Sequence, residues 1–270
     1  MQSLALVDEW PVGTVATAVV KADGTVLGTR GDQAKVFPLA SVTKLLTTYA
    51  VLIAVEEGAV ELDEPAGPDG STIRHLLAHA SGLAMSEDKV QAQPGTRRIY
   101  SNMGFDTLAE AVQQASGIPF NAYLAEAVLA PLAMTDTTLK GSAAHAGAST
   151  VADLSKFAAE LLAPRLVSQE LFKEATTVAF PGLNGVLPGF GHQKPNDWGL
   201  GFSLRDHKNP HWTGKENSPE TFGHFGQSGT FLWVDPKAGI AAIALTDRQF
   251  GEWAAEVWPV FSDAVLRETS

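Results

Sequence analysis

Hydrophobic and polar positions alternate near both ends of the chain and follow a helical period between them. Thr14 to Val20 and Thr25 to Thr29 are small and β-branched, and Lys21-Ala22-Asp23-Gly24 between them carries Asp-Gly turn chemistry. This predicts a β-hairpin. Thr230 to Val234 and Ile240 to Thr246 flank Asp235-Pro236-Lys237-Ala238-Gly239 and predict a second antiparallel pair. Trp253, Val257, Phe261 and Val265 then recur every four residues, the mark of an amphipathic closing helix, with Pro259 as a break point.

The middle of the chain reads differently. From Ser41 to Glu57 apolar residues occur almost all round (Leu45, Leu46, Tyr49, Leu52, Ile53, Val55), so this helix should be central and stop near Gly58. Phe105, Leu108 and Val112 mark a helix ending at Gly117; Leu154, Phe157 and Leu161 mark another, with Thr150 three residues before Asp153 as a capping-box-like start. Residues 180–219 are rich in Gly, Pro, Asn and His and predict long loops bordering a cleft, where Trp198, Phe202 and Trp212 are candidate lining residues. The expected class is α+β: an antiparallel sheet assembled from both chain ends with flanking helices, and an inserted helical lobe. A length of 270 residues fits one domain in two lobes, residues 1–60 with 195–270 forming the α/β lobe and 61–194 the mainly helical one.

Charge and composition narrow the function classes. Nineteen Lys and Arg against 30 Asp and Glu leave a net charge of −11, with no basic run to follow a phosphate backbone, so nucleic acid is not an expected partner. The absence of cysteine excludes a disulfide, a thiolate zinc site and a cysteine nucleophile. Leu45 to Val55, the longest membrane-like stretch, is 11 residues with two threonines, well short of the roughly 20 needed to span a bilayer. Asp8 and Glu9, with no Lys or Arg in the first ten residues, do not resemble the start of a signal peptide. A cytoplasmic protein without membrane partners is expected, and oligomeric state is not readable.

Three short stretches carry chemistry. Ser41-Val42-Thr43-Lys44 opens the central helix, placing an amine on the same face as a hydroxyl. Serine is a weak nucleophile at its own pKa, and a partly desolvated amine held against it can take its proton. Taken alone, this is also how a serine cap before a solvated lysine looks. Tyr100-Ser101-Asn102 precedes the next helix, and in an extended segment residues two apart point the same way. Singly, Tyr100 reads equally as a core tyrosine and Asn102 as a helix cap. Gly223-His224-Phe225-Gly226-Gln227 precedes a predicted strand, where glycine permits close approach of a ligand and a following N–H can stabilise an oxyanion.

In their order, Ser41-x-x-Lys44, Tyr100-x-Asn102 and His224-x-Gly226 resemble the three motifs of the penicillin-recognising serine hydrolases, in the branch of class C β-lactamases, D-alanyl-D-alanine peptidases and family VIII esterases. Phe37-Pro38-Leu39-Ala40, His75 to Leu83, Pro131 to Met134 and Trp198 to Phe202 are similar too, so the resemblance runs from about Thr14 to Leu266. It implies the β-lactamase/transpeptidase-like fold, with Ser41 as nucleophile, Lys44 as its proton partner and Tyr100 as general base and later proton donor. It further implies that Asn102 orients the substrate's acyl side chain. The backbone N–H groups of Ser41 and Gln227 would form the oxyanion hole, beside His224 and Gly226. The implied reaction is acyl transfer to Ser41 and then to water, on a small ester or amide, with no metal or organic cofactor.

The sequence departs from the family at the third motif. Where β-lactamases have Lys-Thr-Gly, this chain has His224-Phe225-Gly226, losing a cation and a hydroxyl that hold a substrate carboxylate. An esterase-like activity is therefore expected ahead of D-amino-acid peptidase or β-lactamase activity, and a sensor acylated without turnover is the non-enzymatic alternative. His75 and His79 stand four apart, but Leu76 occupies the place a zinc hydrolase gives to glutamate, so both are expected to be structural. Gly226-Gln227-Ser228-Gly229-Thr230 lacks the last glycine of a nucleophile elbow. Asp136 and Asp153 read as turn and capping residues.

Overall fold

The structure, a computed structural model, describes residues 1–270. Its strands are β1 (Val15–Lys21), β2 (Val26–Arg30), β3 (Phe37–Pro38), β4 (Thr138–Leu139), β5 (Gly147–Ser149), β6 (Gly185–Leu187), β7 (Gly191–Gln193), β8 (Ser203–Leu204), β9 (Phe222–Gly226), β10 (Thr230–Asp235) and β11 (Ile240–Thr246). Its α-helices are α1 (Thr43–Glu56), α2 (Ile73–Leu77), α3 (Asn102–Ser116), α4 (Phe120–Leu124), α5 (Val151–Leu162), α6 (Gln169–Ala175) and α7 (Glu252–Thr269). None of them is long and apolar enough to cross a membrane.

Six strands form one antiparallel sheet in the order β2-β1-β11-β10-β9-β8. The N-terminal hairpin pairs directly with the C-terminal strand, Val15 opposite Thr246 through Lys21 opposite Ile240. Period-2 alternation sorts the side chains onto two covered faces. Ala16, Ala18, Val20, Leu232, Val234, Ile243 and Leu245 face the larger core with α1, α3 and α5. Phe231, Trp233, Ala242 and Ala244 face a second core with Trp258, Phe261 and Val265 of α7. The expected α+β class is observed, with one antiparallel sheet built from both chain ends and helices packed on its faces.

One expectation is extended and another corrected. Gly223 to Gly226 precedes the expected strand β10 and is itself part of a strand, β9, fully buried and paired with β10. Helix α7 also runs through Pro259 without a break. The ring removes a ladder N–H, but Trp258, Phe261, Ser262 and Val265 are buried on either side of it, and that packing holds the helix together. The capping reading of α5 stands, with Thr150 Oγ1 accepting from Asp153 N at 3.1 Å.

Candidate active site

Ser41 lies in a single 3₁₀ turn, Ala40–Val42, immediately ahead of α1 rather than in the α-helix itself. The residue before it, Ala40, has φ of +45°, a conformation that L side chains adopt rarely and that only surrounding contacts maintain. Those contacts are visible. Thr230 Oγ1 donates to Leu39 O at 2.9 Å and Ser228 Oγ to Pro38 O at 2.7 Å, fastening the segment that leads into Ser41 to the start of β10. Gly226 is required by the same contact, since a Cβ there would stand 2.3 Å from Leu39 O.

Three residues after Ser41, in the first turn of α1, Lys44 is fully buried. Its Nζ lies 2.6 Å from Asn102 Oδ1, 3.0 Å from Ala144 O and 3.4 Å from Ser41 Oγ. Burial lowers its pKa to about 7, opposed in part by the carboxylate of Asp106. A neutral amine has two N–H groups and one lone pair. The two carbonyl oxygens can accept both N–H groups, which leaves the lone pair for the Ser41 hydroxyl. The loop that supplies Ala144 is held to α1 by Thr47 Oγ1 donating to Ala143 O and by Gly147 N donating to Thr43 Oγ1.

Tyr100 OH lies 2.8 Å from Ser41 Oγ and 3.4 Å from His224 Nε2. Desolvation pushes the phenol's pKa up, so it stays protonated. His224 is also buried, and its Nδ1 lies 2.6 Å from the carbonyl oxygen of Phe225, which can only accept. The proton therefore sits on Nδ1, and Nε2 presents a lone pair to the phenol. Burial brings this imidazole's pKa down to about 3, aided by the nearby Lys44 charge, so His224 is neutral at physiological pH. Beneath Tyr100, the ring of His79 packs 4.6 Å away, and its Nδ1 accepts Ser101 N at 3.1 Å. His75 stacks on Phe180 at 4.4 Å, with its Nδ1 on Thr72 Oγ1.

A cavity of about 70 Å³ opens above these groups, lined by Ser41, Met85, Tyr100, Leu187, Pro188, Trp198, Ser203, His224, Phe225 and Gln227. Clefts of about 660 and 680 Å³ lie elsewhere and hold none of the three motifs. Gln227 follows the last paired position of β9, with its carbonyl accepting Phe250 N at 2.8 Å and its side chain donating to Phe250 O at 3.2 Å. The structure thus brings Ser41, Lys44, Tyr100, His224 and Gln227 together. Asn102 joins them through Lys44 and does not border the cavity; the cap of α3 is Ser101, whose Oγ accepts Gly104 N. Gly226 acts through close approach. Of the three loop aromatics only Trp198 lines the cavity, while Phe202 and Trp212 belong to the cores. Sequence reasoning missed Ser203, Met85, Leu187 and Pro188, which belong to no motif.

Comparison with known proteins gives a consistent picture. A family model described as Beta-lactamase matches residues 7–265. A crystal structure of a beta-lactamase from Mycobacterium bovis is 59% identical, with 99% of each chain covered and a TM-score of 0.98. EstCE1, described as a hydrolase with promiscuous acyltransferase activity, shares the fold at a TM-score of 0.81 and 18% identity, covering 98% of this chain and 99% of its own. Among curated proteins, the D-alanyl-D-alanine-carboxypeptidase/endopeptidase AmpH of Escherichia coli is 30% identical over 137 residues, 37% of this chain and 36% of its own. The monacolin J acid methylbutanoyltransferase of Aspergillus terreus is 31% identical over 155 residues, 38% and 37% respectively. The chain spans about a third of the length of these curated relatives.

Proposed function

The chain belongs to the Beta-lactamase family, and from that premise we propose that it is a serine hydrolase that cleaves small uncharged esters through an acyl-enzyme on Ser41. The carrying observation is the pair of distances at Ser41 Oγ, 2.8 Å to a protonated phenol and 3.4 Å to an amine whose other partners are both carbonyls.

In this reading Lys44 takes the Ser41 proton as Oγ bonds to the ester carbonyl carbon. The developing oxyanion is held by the N–H groups of Ser41 and Gln227. When the C–O bond to the alcohol breaks, the proton passes through Tyr100 to the leaving oxygen, and Lys44 is neutral again. Water then attacks the acyl-enzyme, gives up its proton by the same route and returns Ser41 Oγ–H and a carboxylic acid. Losing one oxyanion donor costs about 2.7–4 kcal/mol, so in this reading the N–H of Gln227 supplies a large part of the barrier reduction.

What favours an ester over a carboxylate-bearing lactam or D-alanyl peptide is the third motif. No Lys or Arg lines the cavity, His224 is neutral, and Phe225 presents a ring in place of a hydroxyl. A carboxylate desolvated there finds no counter-charge. The test is hydrolysis of p-nitrophenyl butyrate and a chromogenic cephalosporin by wild type and Ser41→Ala, with intact mass spectrometry. Ester turnover lost by at least ~10³-fold in the variant supports the reading. A persistent β-lactam adduct on Ser41 without ester turnover would instead support a sensor.

A further inference from the structure

Both carbonyl acceptors of the Lys44 amine trace back to one face of α3. Asn102 and Asp106 stand four residues apart on this helix, a spacing that makes them neighbours on its surface. Asn102 meets the amine directly, its Oδ1 lying 2.6 Å from Lys44 Nζ. Asp106 is linked to it through the loop between β4 and β5. Ser142 Oγ donates to Asp106 Oδ1 at 2.7 Å and accepts from Ala144 N at 3.1 Å, and Ala144 O in turn accepts from Lys44 Nζ at 3.0 Å. Thr43 and Thr47 fasten this loop to α1, whereas the bond to Asp106 ties it to α3. A serine hydroxyl has a single proton, so a carboxylate that accepts it fixes the rotor and leaves the lone pairs to the Ala144 N–H.

Charge adds to this contact. The other titratable groups around the amine come from further elements: Tyr100 ahead of α3, His79 after α2 and His224 on β9. Burial holds the phenol protonated and both imidazoles neutral. Asp106 is half-buried and borders the cleft of about 680 Å³. Its carboxylate is the charge that acts on the amine, and it favours the ammonium. We propose that Asp106 is a positioning residue for the Ser41–Lys44 pair, holding the Ala144 carbonyl against the amine through Ser142 and supplying the anionic charge that the buried amine feels. This rests on the reading of Lys44 as proton acceptor above and adds a residue that belongs to none of the three motifs. The two contributions are separable by substitution. Asparagine keeps an oxygen to accept from Ser142 but carries no charge, alanine has neither, and Ser142→Ala breaks the link while the charge stays.

The test measures kcat and KM for p-nitrophenyl butyrate from pH 5.5 to 8.5 in wild type, Asp106→Asn, Asp106→Ala and Ser142→Ala. In parallel, the Lys44 side-chain resonance is followed by NMR over the same range in lysine-labelled protein, which also reports whether each variant is folded. Above pH 8, Asp106→Ala and Ser142→Ala should each lose about 5-fold or more in kcat with KM within about 2-fold, because a displaced base costs rate rather than binding. Asp106→Asn should recover most of that loss. Its acid limb should move down by at least ~0.5 pH unit, since without the anion the amine form persists to lower pH, and the resonance should titrate with the same shift. Wild-type kcat and inflection in Asp106→Ala, or a Lys44 resonance in Asp106→Asn that titrates where wild type does, overturns the inference. So does a kcat loss in Asp106→Ala that Ser142→Ala does not share or that Asp106→Asn does not relieve. Wild type that cleaves no ester overturns the esterase reading instead, and the resonance in Asp106→Asn then decides whether Asp106 acts on Lys44.

Discussion

Lys44 and His224 reach Tyr100 from different parts of the fold, one from the first turn of α1 and the other from β9, with Lys44 Nζ 4.7 Å from the phenol ring centroid and His224 Nε2 3.4 Å from its hydroxyl. Burial acts on both in the same direction, disfavouring the charged form. Because lysine starts near 10.5, the same penalty leaves it at about 7, where it can change state under working conditions. Histidine starts at 6.5 and ends at about 3, out of reach. One desolvated site therefore yields a usable base and a fixed dipole, and the difference lies in the intrinsic chemistry of the two side chains. Their partners agree with this division: two carbonyls absorb the Lys44 N–H groups, while a single backbone carbonyl fixes the His224 tautomer.

The comparison breaks most readily at Lys44. Replacing it by methionine keeps length and removes the lone pair, and the loss in kcat/KM for p-nitrophenyl butyrate should be about 10²- to 10⁴-fold, the usual range for a general base. In wild type the rate should fall about tenfold per pH unit below about pH 7 and level off above it, since the amine is the competent form and exists above its pKa. A flat wild-type profile from pH 5.5 to 8.5 would remove Lys44 from the proton-taking role.

His224→Gln sharpens the other half. Glutamine offers an acceptor in place of Nε2 but not the ring that packs 5.6 Å from Trp198, so a loss of about tenfold or less is expected from weaker positioning of Tyr100. The informative readout is the pH profile, whose inflection should stay where wild type has it. Movement of that inflection in the variant would mean that His224, and not Lys44, titrates in the working range.

The sequence made one flank far more legible than the other. Ser41 and Lys44 are three apart at the start of a helix that reads clearly, and Thr150 and Gly117 mark helix ends through local chemistry that is visible without tertiary context. The His224 flank depends on contacts remote in the chain. All five positions of β9 are buried, so no period-2 alternation marks it as a strand, and β8 has only two residues. Ser203 reaches the cavity wall through its pairing with Gly223, twenty positions on, and no spacing rule points to it. Asn102 was legible as a motif member but not in its contact, because its amide oxygen is committed to Lys44 only once α1 and α3 are packed.

The remaining expected effect is on stability rather than rate, and it tests the same desolvation without any substrate. In the unfolded chain Lys44 binds its proton with a pKa near 10.5, and in the folded one at about 7. Between those values the unfolded state holds the extra proton, so this group makes stability rise with pH. Below about pH 7 both states are protonated and the folded chain bears the full burden of a buried charge; above 10.5 both are neutral and the burden is gone. Lys44→Met loses the bonds to Asn102 and Ala144 at every pH but never carries the charge. Melting temperatures of the two proteins, measured from pH 7 to 10 in matched buffers, should therefore move apart in favour of wild type as pH rises. A difference that stays constant across that window would show Lys44 to be an ordinary ammonium in the folded state, which would return the task of taking the Ser41 proton to Tyr100.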